Sequence, residues 1–140
     1  MDDCIFCKIA RGEIPCHKVY EDETVIAFLD LAQVTPGHTL VITKEHYETF
    51  LSVPKPVMHH VMDVAQRVGQ IHISELLARG VNILTNCYPI AGQVIPHFHV
   101  HVIPRYEKGD GLRITMIDHA AESKFNMPIL ADKLSRKMDE

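Results

Sequence analysis

An α+β fold is what the sequence predicts: about five antiparallel strands in one sheet, covered by one long helix, with a second helix at the C-terminus. Three observations carry this. Between residues 19 and 43, β-branched and aromatic runs follow one another with short turns, as in a meander. Between residues 56 and 79, apolar residues recur at steps of three and four, the period of a helix with one buried face. Residues 97–103 read His-Phe-His-Val-His-Val-Ile, the period-2 pattern of a strand whose two faces differ. Short-turn strands and a single long helix belong to an antiparallel sheet with helical cover.

The elements follow in order. Val19-Tyr20 and Thr24–Leu29 are expected strands, joined by the acidic turn Glu21-Asp22-Glu23. Asp30 to Gly37 is a loop closed by Pro36-Gly37, and His38 to Thr43 is β-rich and reads as a third strand. Lys44 to Ser52 is expected to form a short helix. Pro56 suits the first turn of the long helix, whose apolar face is Val57, Val61, Val64, Ala65, Val68 and Ile71; it should run to Arg79 and stop at Gly80. His59, His60 and His72 on this helix are expected to be solvated polar positions. Val81–Thr85 is a fourth strand, 97–103 a fifth, and Met127–Lys137 a C-terminal helix.

The 140 residues suit one domain, 1–140, with no linker or repeat, and allow a sizeable core. Charged residues are 23% and apolar residues 46%, a globular composition. A net charge of -4 argues against a nucleic-acid or anionic-membrane binder, though a small anion held by local donors is compatible with it. Met1-Asp2-Asp3-Cys4 lacks the start of a signal peptide, and no apolar run is long enough to cross a bilayer. A soluble cytoplasmic protein is expected.

The chemistry concentrates in the alternating strand. Phe98, Val100 and Val102 should enter a core, and His97, His99 and His101 should line the opposite face. A neutral imidazole is a nucleophile, proton carrier or metal ligand, and packing alone does not account for three in register. The Asn86–Pro96 loop feeds this strand; Gly92 permits a tight turn there, and Asn86 and Gln93 bring amides able to meet a phosphate. Four cysteines without a secretory signal argue against a disulfide framework. Cys4-Ile-Phe-Cys7 has the spacing of half a zinc site or of a redox pair, and free buried thiols are an equal alternative. Cys16 and Cys87 are isolated and read as small packed hydrophobes.

Taken together, several segments resemble the histidine triad (HIT) family. His97-Phe98-His99-Val100-His101-Val102-Ile103 matches its His-x-His-x-His signature. Ala91-Gly92-Gln93, Pro36-Gly37-His38-Thr39-Leu40-Val41-Ile42 and Phe28-Leu29-Asp30 look like family segments in the right order. Cys4-Ile5-Phe6-Cys7-Lys8-Ile9 looks like the opening of its zinc-bearing bacterial members. The resemblance implies a HIT-like fold, a homodimer, and nucleotidyl chemistry at the α-phosphate of nucleotide conjugates. By the same resemblance His99 is the nucleophile, His101 contacts the phosphate region, and His38 bonds within the network. Asp30 grips the ribose, Leu29 and Leu31 line the base pocket, and Asn86 and Gln93 sit near phosphate and leaving group. It also implies one structural zinc per chain on Cys4, Cys7, His46 and His97.

Two positions depart from the family pattern. Val94 stands where many members carry Ser or Thr, and the chain has no Trp, unlike the phosphoramidase branch with its C-terminal Trp segment. Two other functions fit the same residues. One is a metallohydrolase with a catalytic zinc on the histidine strand. The other is a nucleotide-binding regulatory module with little turnover.

Overall fold

Residues 18 to 43 fold as the expected meander. The computed structural model describes residues 3–122 and 126–140. Strand β1 (Lys18–Glu21) pairs antiparallel with β2 (Val25–Leu29), and β2 with β3 (Thr39–Thr43). Asp22 Oδ1 accepts from the backbone N–H groups of Thr24 and Val25 at 2.8 and 3.0 Å, which closes the β1–β2 turn. Strand β4 (Gly80–Leu84) comes next in sequence, but β5 (His99–Arg105) inserts between β3 and β4. The order is β1-β2-β3-β5-β4, all pairs antiparallel. The histidine strand is thus flanked on both sides.

The two faces of the sheet bury different things. Helix α2 (Lys55–Glu75) lies on one face, where Val61, Val64, Ala65 and Val68 meet Val25, Ala27, Val41, Phe98, Val100 and Val102. Val57 and Ile71 of the expected stripe are partly buried. On the other face, Ile26, Phe28, Leu40 and Ile42 are covered by Phe6 and Ile9 of a six-residue helix, α1 (Ile5–Ala10). Register puts His99 opposite Ile42 and His101 opposite Leu40, so the histidines complete this second face. Helix α3 (Met127–Met138) matches expectation, capped by Asn126, whose side chain accepts from the Ile129 N–H; none of its residues is buried. No helix among the described residues is long and apolar enough to cross a membrane.

Five details differ from the sequence reading. Helix α1 was not expected: six residues are too few to show a period, and Cys4 caps it, its Sγ accepting from the Cys7 N–H at 3.3 Å. Lys44–Ser52 is not a helix. Its carbonyls are used elsewhere, Tyr47 O by the Phe98 N–H at 2.7 Å and Glu48 O by the Gln93 amide at 2.7 Å. Helix α2 stops at Glu75, not Arg79, because Leu77 turns to a φ of 58° while the N–H groups of Leu76 and Ala78 both bond His72 O; Gly80 then opens β4. Regular pairing of β5 begins at His99, since His97 and Phe98 bond to Ile95 and Tyr47 instead of β3. His72 is buried at 4% exposure, not solvated, and its Nε2 lies 3.3 Å from Thr39 Oγ1. His59 is exposed as expected, and His60 is partly exposed and pairs with Asp22.

Phe98 links the strand to the core: it is 1% exposed and its ring lies 6.1 Å from that of Phe50. Phe98→Ala should lower unfolding free energy by about 3–5 kcal/mol, as for large aromatic truncations in cores. Urea unfolding checks this; a loss under about 1 kcal/mol, the scale of an ordinary surface change, would contradict the packing described.

Candidate active site and metal centre

The three histidines share one face but not one set of partners. His97 is fully buried. Its Nε2 lies 2.7 Å from Thr43 O, a carbonyl that can only accept, so the proton sits on Nε2 and the Nδ1 lone pair is left over. That Nδ1 faces two sulfurs, Cys4 Sγ at 3.3 Å and Cys7 Sγ at 3.5 Å. His46 Nδ1 lies 3.3 Å from Cys7 Sγ. One ligand atom from each of the four lies within 4.8 Å of the rest.

This cluster could hold a metal ion. A tetrahedral zinc with ordinary bond lengths sets a sulfur and a nitrogen ligand about 3.5 Å apart, close to the three distances observed. Burial, reinforced by Cys4, pushes the Cys7 thiol up to about 11. A thiolate there therefore needs a cationic partner, which a metal supplies. The His97–Thr43 bond orients the ring in the way that outer-shell contacts orient imidazoles at metal sites. The sequence brought all four residues forward; it did not bring forward Thr43, whose carbonyl sets the tautomer.

His99 stands next along the strand. Its Nδ1 lies 2.7 Å from the His97 carbonyl, so Nδ1 carries the proton and the lone pair is on Nε2. Phe6 packs edge-on against the ring, centroid to centroid 5.0 Å, and restricts its rotation. Thr85 Oγ1 donates to the His99 carbonyl at 2.8 Å and holds the backbone from the β4 side. Burial lowers the His99 pKa, which keeps the ring neutral. Phe6 and Thr85 escaped the sequence reading; the short apolar step between Cys4 and Cys7 was the one available signal for Phe6.

His101 belongs to a third set. Its Nδ1 lies 2.9 Å from His38 Nε2, and the rings are 5.2 Å apart. His38 is buried, and its Nδ1 lies 3.3 Å from Ala32 O. If Nδ1 of His38 donates there, Nε2 accepts from His101. Burial, with the neighbouring His99 and His38, brings His101 down to about 4, and burial lowers His38 as well. Asp30 Oδ2 lies 3.7 Å from His38 Nε2, while Oδ1 accepts from the Ala32 N–H at 2.9 Å. Gly37, with a φ of 101°, makes the turn that delivers His38; a Cβ there would sit 2.5 Å from Leu76 Cδ1.

The remaining expected residues form the rim. Leu29 is partly buried and Leu31 is 87% exposed, on either side of Asp30. Asn86 Nδ2 donates to Gly92 O at 3.3 Å. Gln93 is buried and its amide is engaged at both ends: Oε1 accepts from the Tyr88 N–H at 2.7 Å, and Nε2 donates to Glu48 O and Ile95 O. It fastens the 86–96 loop to the segment carrying His46 and supports Tyr88 at a φ of 74°. Val94 is exposed on this loop.

Comparison with known proteins identifies the family. The HIT domain family model matches residues 11–108. "Protein hit" of Bacillus subtilis is 44% identical over 123 residues, covering 88% of this chain and 85% of that protein. The crystal structure of a HIT family protein from Bacillus anthracis superposes with a TM-score of 0.89 at 40% identity, covering 97% of each chain. A zinc-bound histidine triad family protein from Mycobacterium smegmatis has a TM-score of 0.75 at 32% identity, covering 96% and 98%. Among enzymes named for an activity, adenylylsulfatase HINT3 of Arabidopsis thaliana is 39% identical over 107 residues, 76% of this chain and 54% of that protein. Adenosine 5'-monophosphoramidase HNT1 of Candida albicans is 32% identical over 115 residues, 79% and 76%. With a family model spanning most of its length and relatives above 40% identity, the chain belongs to the histidine triad family.

Proposed function

We propose that the protein hydrolyses, or transfers from, nucleotide conjugates at the α-phosphate through a nucleotidyl-His99 intermediate. The observation that carries this is the 2.7 Å bond from His99 Nδ1–H to the His97 carbonyl. It places the lone pair of the neutral ring on Nε2, and burial, which lowers the His99 pKa, keeps the ring in that neutral form, the one that attacks phosphorus. Attack forms a P–N bond as the bond from phosphorus to the leaving group breaks, the electron pair departing with that group. The ring becomes cationic, and the same carbonyl then accepts a charge-assisted bond from it. Water attacks the intermediate next, the P–N bond breaks, and nucleoside monophosphate leaves with His99 neutral again.

The neighbours have matching tasks. His101, held by His38, faces the phosphate. Asp30 accepts from the ribose hydroxyls with the lone pairs its turn bond leaves over. Leu29 and Leu31 flank the base, and Asn86 and Gln93 shape the loop on the leaving-group side. Val94 has no hydroxyl to offer a departing group. The activities named for the Arabidopsis and Candida relatives are both on adenylyl compounds, which supports adenylyl conjugates as substrates. We further infer a cytoplasmic homodimer of single-domain chains acting on small nucleotides; the net charge of -4 speaks against nucleic acid as partner.

The Cys4, Cys7, His46 and His97 set is proposed to hold one structural zinc per chain. Four protein ligands close the coordination shell, so the ion would stabilise and not react. It would tie α1, and with it Phe6, to the catalytic strand.

Two experiments test these readings. A panel of adenylyl and guanylyl conjugates with phosphate, sulfate and amine leaving groups should release nucleoside monophosphate, and His99→Gly should abolish release while nucleotide binding persists. Retention of more than about a tenth of the wild-type rate, worth only ~1.4 kcal/mol in barrier, would exclude His99 as the nucleophile. Protein purified without added metal should carry about one zinc per chain, and Cys4→Ser should lower both zinc content and melting temperature, since metal binding adds to folding free energy. Metal-free protein of unchanged stability would sink the zinc reading.

A further inference from the structure

Residues 31–34 connect Asp30 to the buried Thr35 and are all exposed, so no apolar core sets their course. Hydrogen bonds set it instead, and three of them converge on the side chain of Gln33. Its Nε2 donates to Asp30 O at 2.5 Å and to His38 O at 2.7 Å, and its Oε1 accepts from the Gly37 N–H at 2.8 Å. A carbonyl only accepts and a backbone N–H only donates, so one orientation of the amide satisfies all three. Among unbranched side chains of this length, Glu brings acceptors only and Lys donors only. The amide joins the ends of β2 and β3 just beyond their last pair, Leu29 with Thr39. The far half of the loop is fastened separately. Thr35 Oγ1 donates to Pro104 O and the Tyr106 hydroxyl to Pro36 O, each at 2.5 Å.

What the amide holds in place is the backbone of Ala32. The Ala32 N–H donates to Asp30 Oδ1 at 2.9 Å, and Ala32 O lies 3.3 Å from His38 Nδ1. One residue of backbone thus orients both the carboxylate and the imidazole. We propose that Gln33 is a positioning residue for the ribose site: its amide keeps the 30–38 loop in the shape that lets Ala32 aim Asp30 and His38. It acts through Ala32 and not by contact with nucleotide. That role rests on Asp30 accepting from ribose, as in the proposed function; the hydrogen-bonded strut does not. Without the amide, residues 31–34 gain freedom and the Asp30 carboxylate takes several directions. Only a fraction of molecules then meets both ribose hydroxyls, and affinity falls by that fraction.

The experiment compares the full wild-type chain with Gln33→Glu and Gln33→Met, by titration with adenosine and 2′-deoxyadenosine and by amide hydrogen exchange. Glu keeps the size and an acceptor but loses both donors; Met keeps the reach and loses all three bonds. Wild type should prefer adenosine by about tenfold or more, the scale of a hydrogen bond to a charged group. In both variants the preference should fall below about threefold, with adenosine affinity dropping and 2′-deoxyadenosine affinity changing less. The Asp30 N–H, which bonds His38 O at 3.0 Å, should exchange several-fold faster in both, while the amides of β5 keep their wild-type rates. An undiminished preference in either folded variant would overturn the proposal. So would an equal loss of affinity for both nucleosides, which marks a general loosening and not a lost aim. Should Gln33→Glu fail to fold, Gln33→Met decides. A wild type without preference for ribose, together with faster Asp30 exchange in the variants, would overturn the ribose role of Asp30, and the positioning role with it, and leave only the strut standing.

Discussion

Burial of Phe98, Val100 and Val102 under helix α2 is the constraint on which the site depends. These three residues are 1% exposed or less. Because a strand alternates its faces, committing them to the core commits His97, His99 and His101 to the other side. Pairing with Val41, opposite Val100, and with Ile83, opposite Val102, holds the register from both edges. A slip of one residue would put the imidazoles into the valine core and the valines into the site, a change that costs far more than any local adjustment could recover. The chemistry is therefore positioned by apolar packing on the reverse face of the sheet.

Given that register, hydrogen bonds divide the histidines among tasks. Thr43 O takes the Nε2 proton of His97 and turns its other nitrogen to the cysteines. His97 O in turn takes the Nδ1 proton of His99, so the residue that faces the two cysteines also orients the ring proposed to react. His38 and His101 pair with one another beside Asp30. Three residues of one type, two apart, thus present different nitrogens to different surroundings. Helix α1 joins the arrangements, since Cys4 and Cys7 flank Phe6, which packs on both His97 and His99.

Much of this was legible in the sequence because it is local and periodic. The alternation at 97–103 and the apolar stripe of α2 specify their faces directly, and the meander follows from short turns. The insertion of β5 between β3 and β4 was not legible, because strand order is decided by long-range pairing. The non-helical course of 44–52 was hidden for a related reason: Tyr47 O and Glu48 O bond to Phe98 and Gln93, partners 45 residues or more away. His72 read as a solvated helix position, but a buried neighbour, Thr39, awaited it on the sheet. The ligand-type residues themselves could be named from sequence, while the carbonyls that choose their tautomers, Thr43 O and His97 O, could not. Backbone groups carry no sequence signature.

The most direct test of the central claim is to catch the reaction halfway. Protein mixed with an adenylyl conjugate and quenched in base, where a P–N bond to imidazole survives, can be digested and mapped by mass. The account predicts an adenylyl group on the peptide containing residue 99, attached through Nε2 and formed and lost at rates compatible with turnover. An adduct on His97, His101 or Cys87 instead, or single-turnover release of nucleoside monophosphate with no adduct at any time, would contradict it.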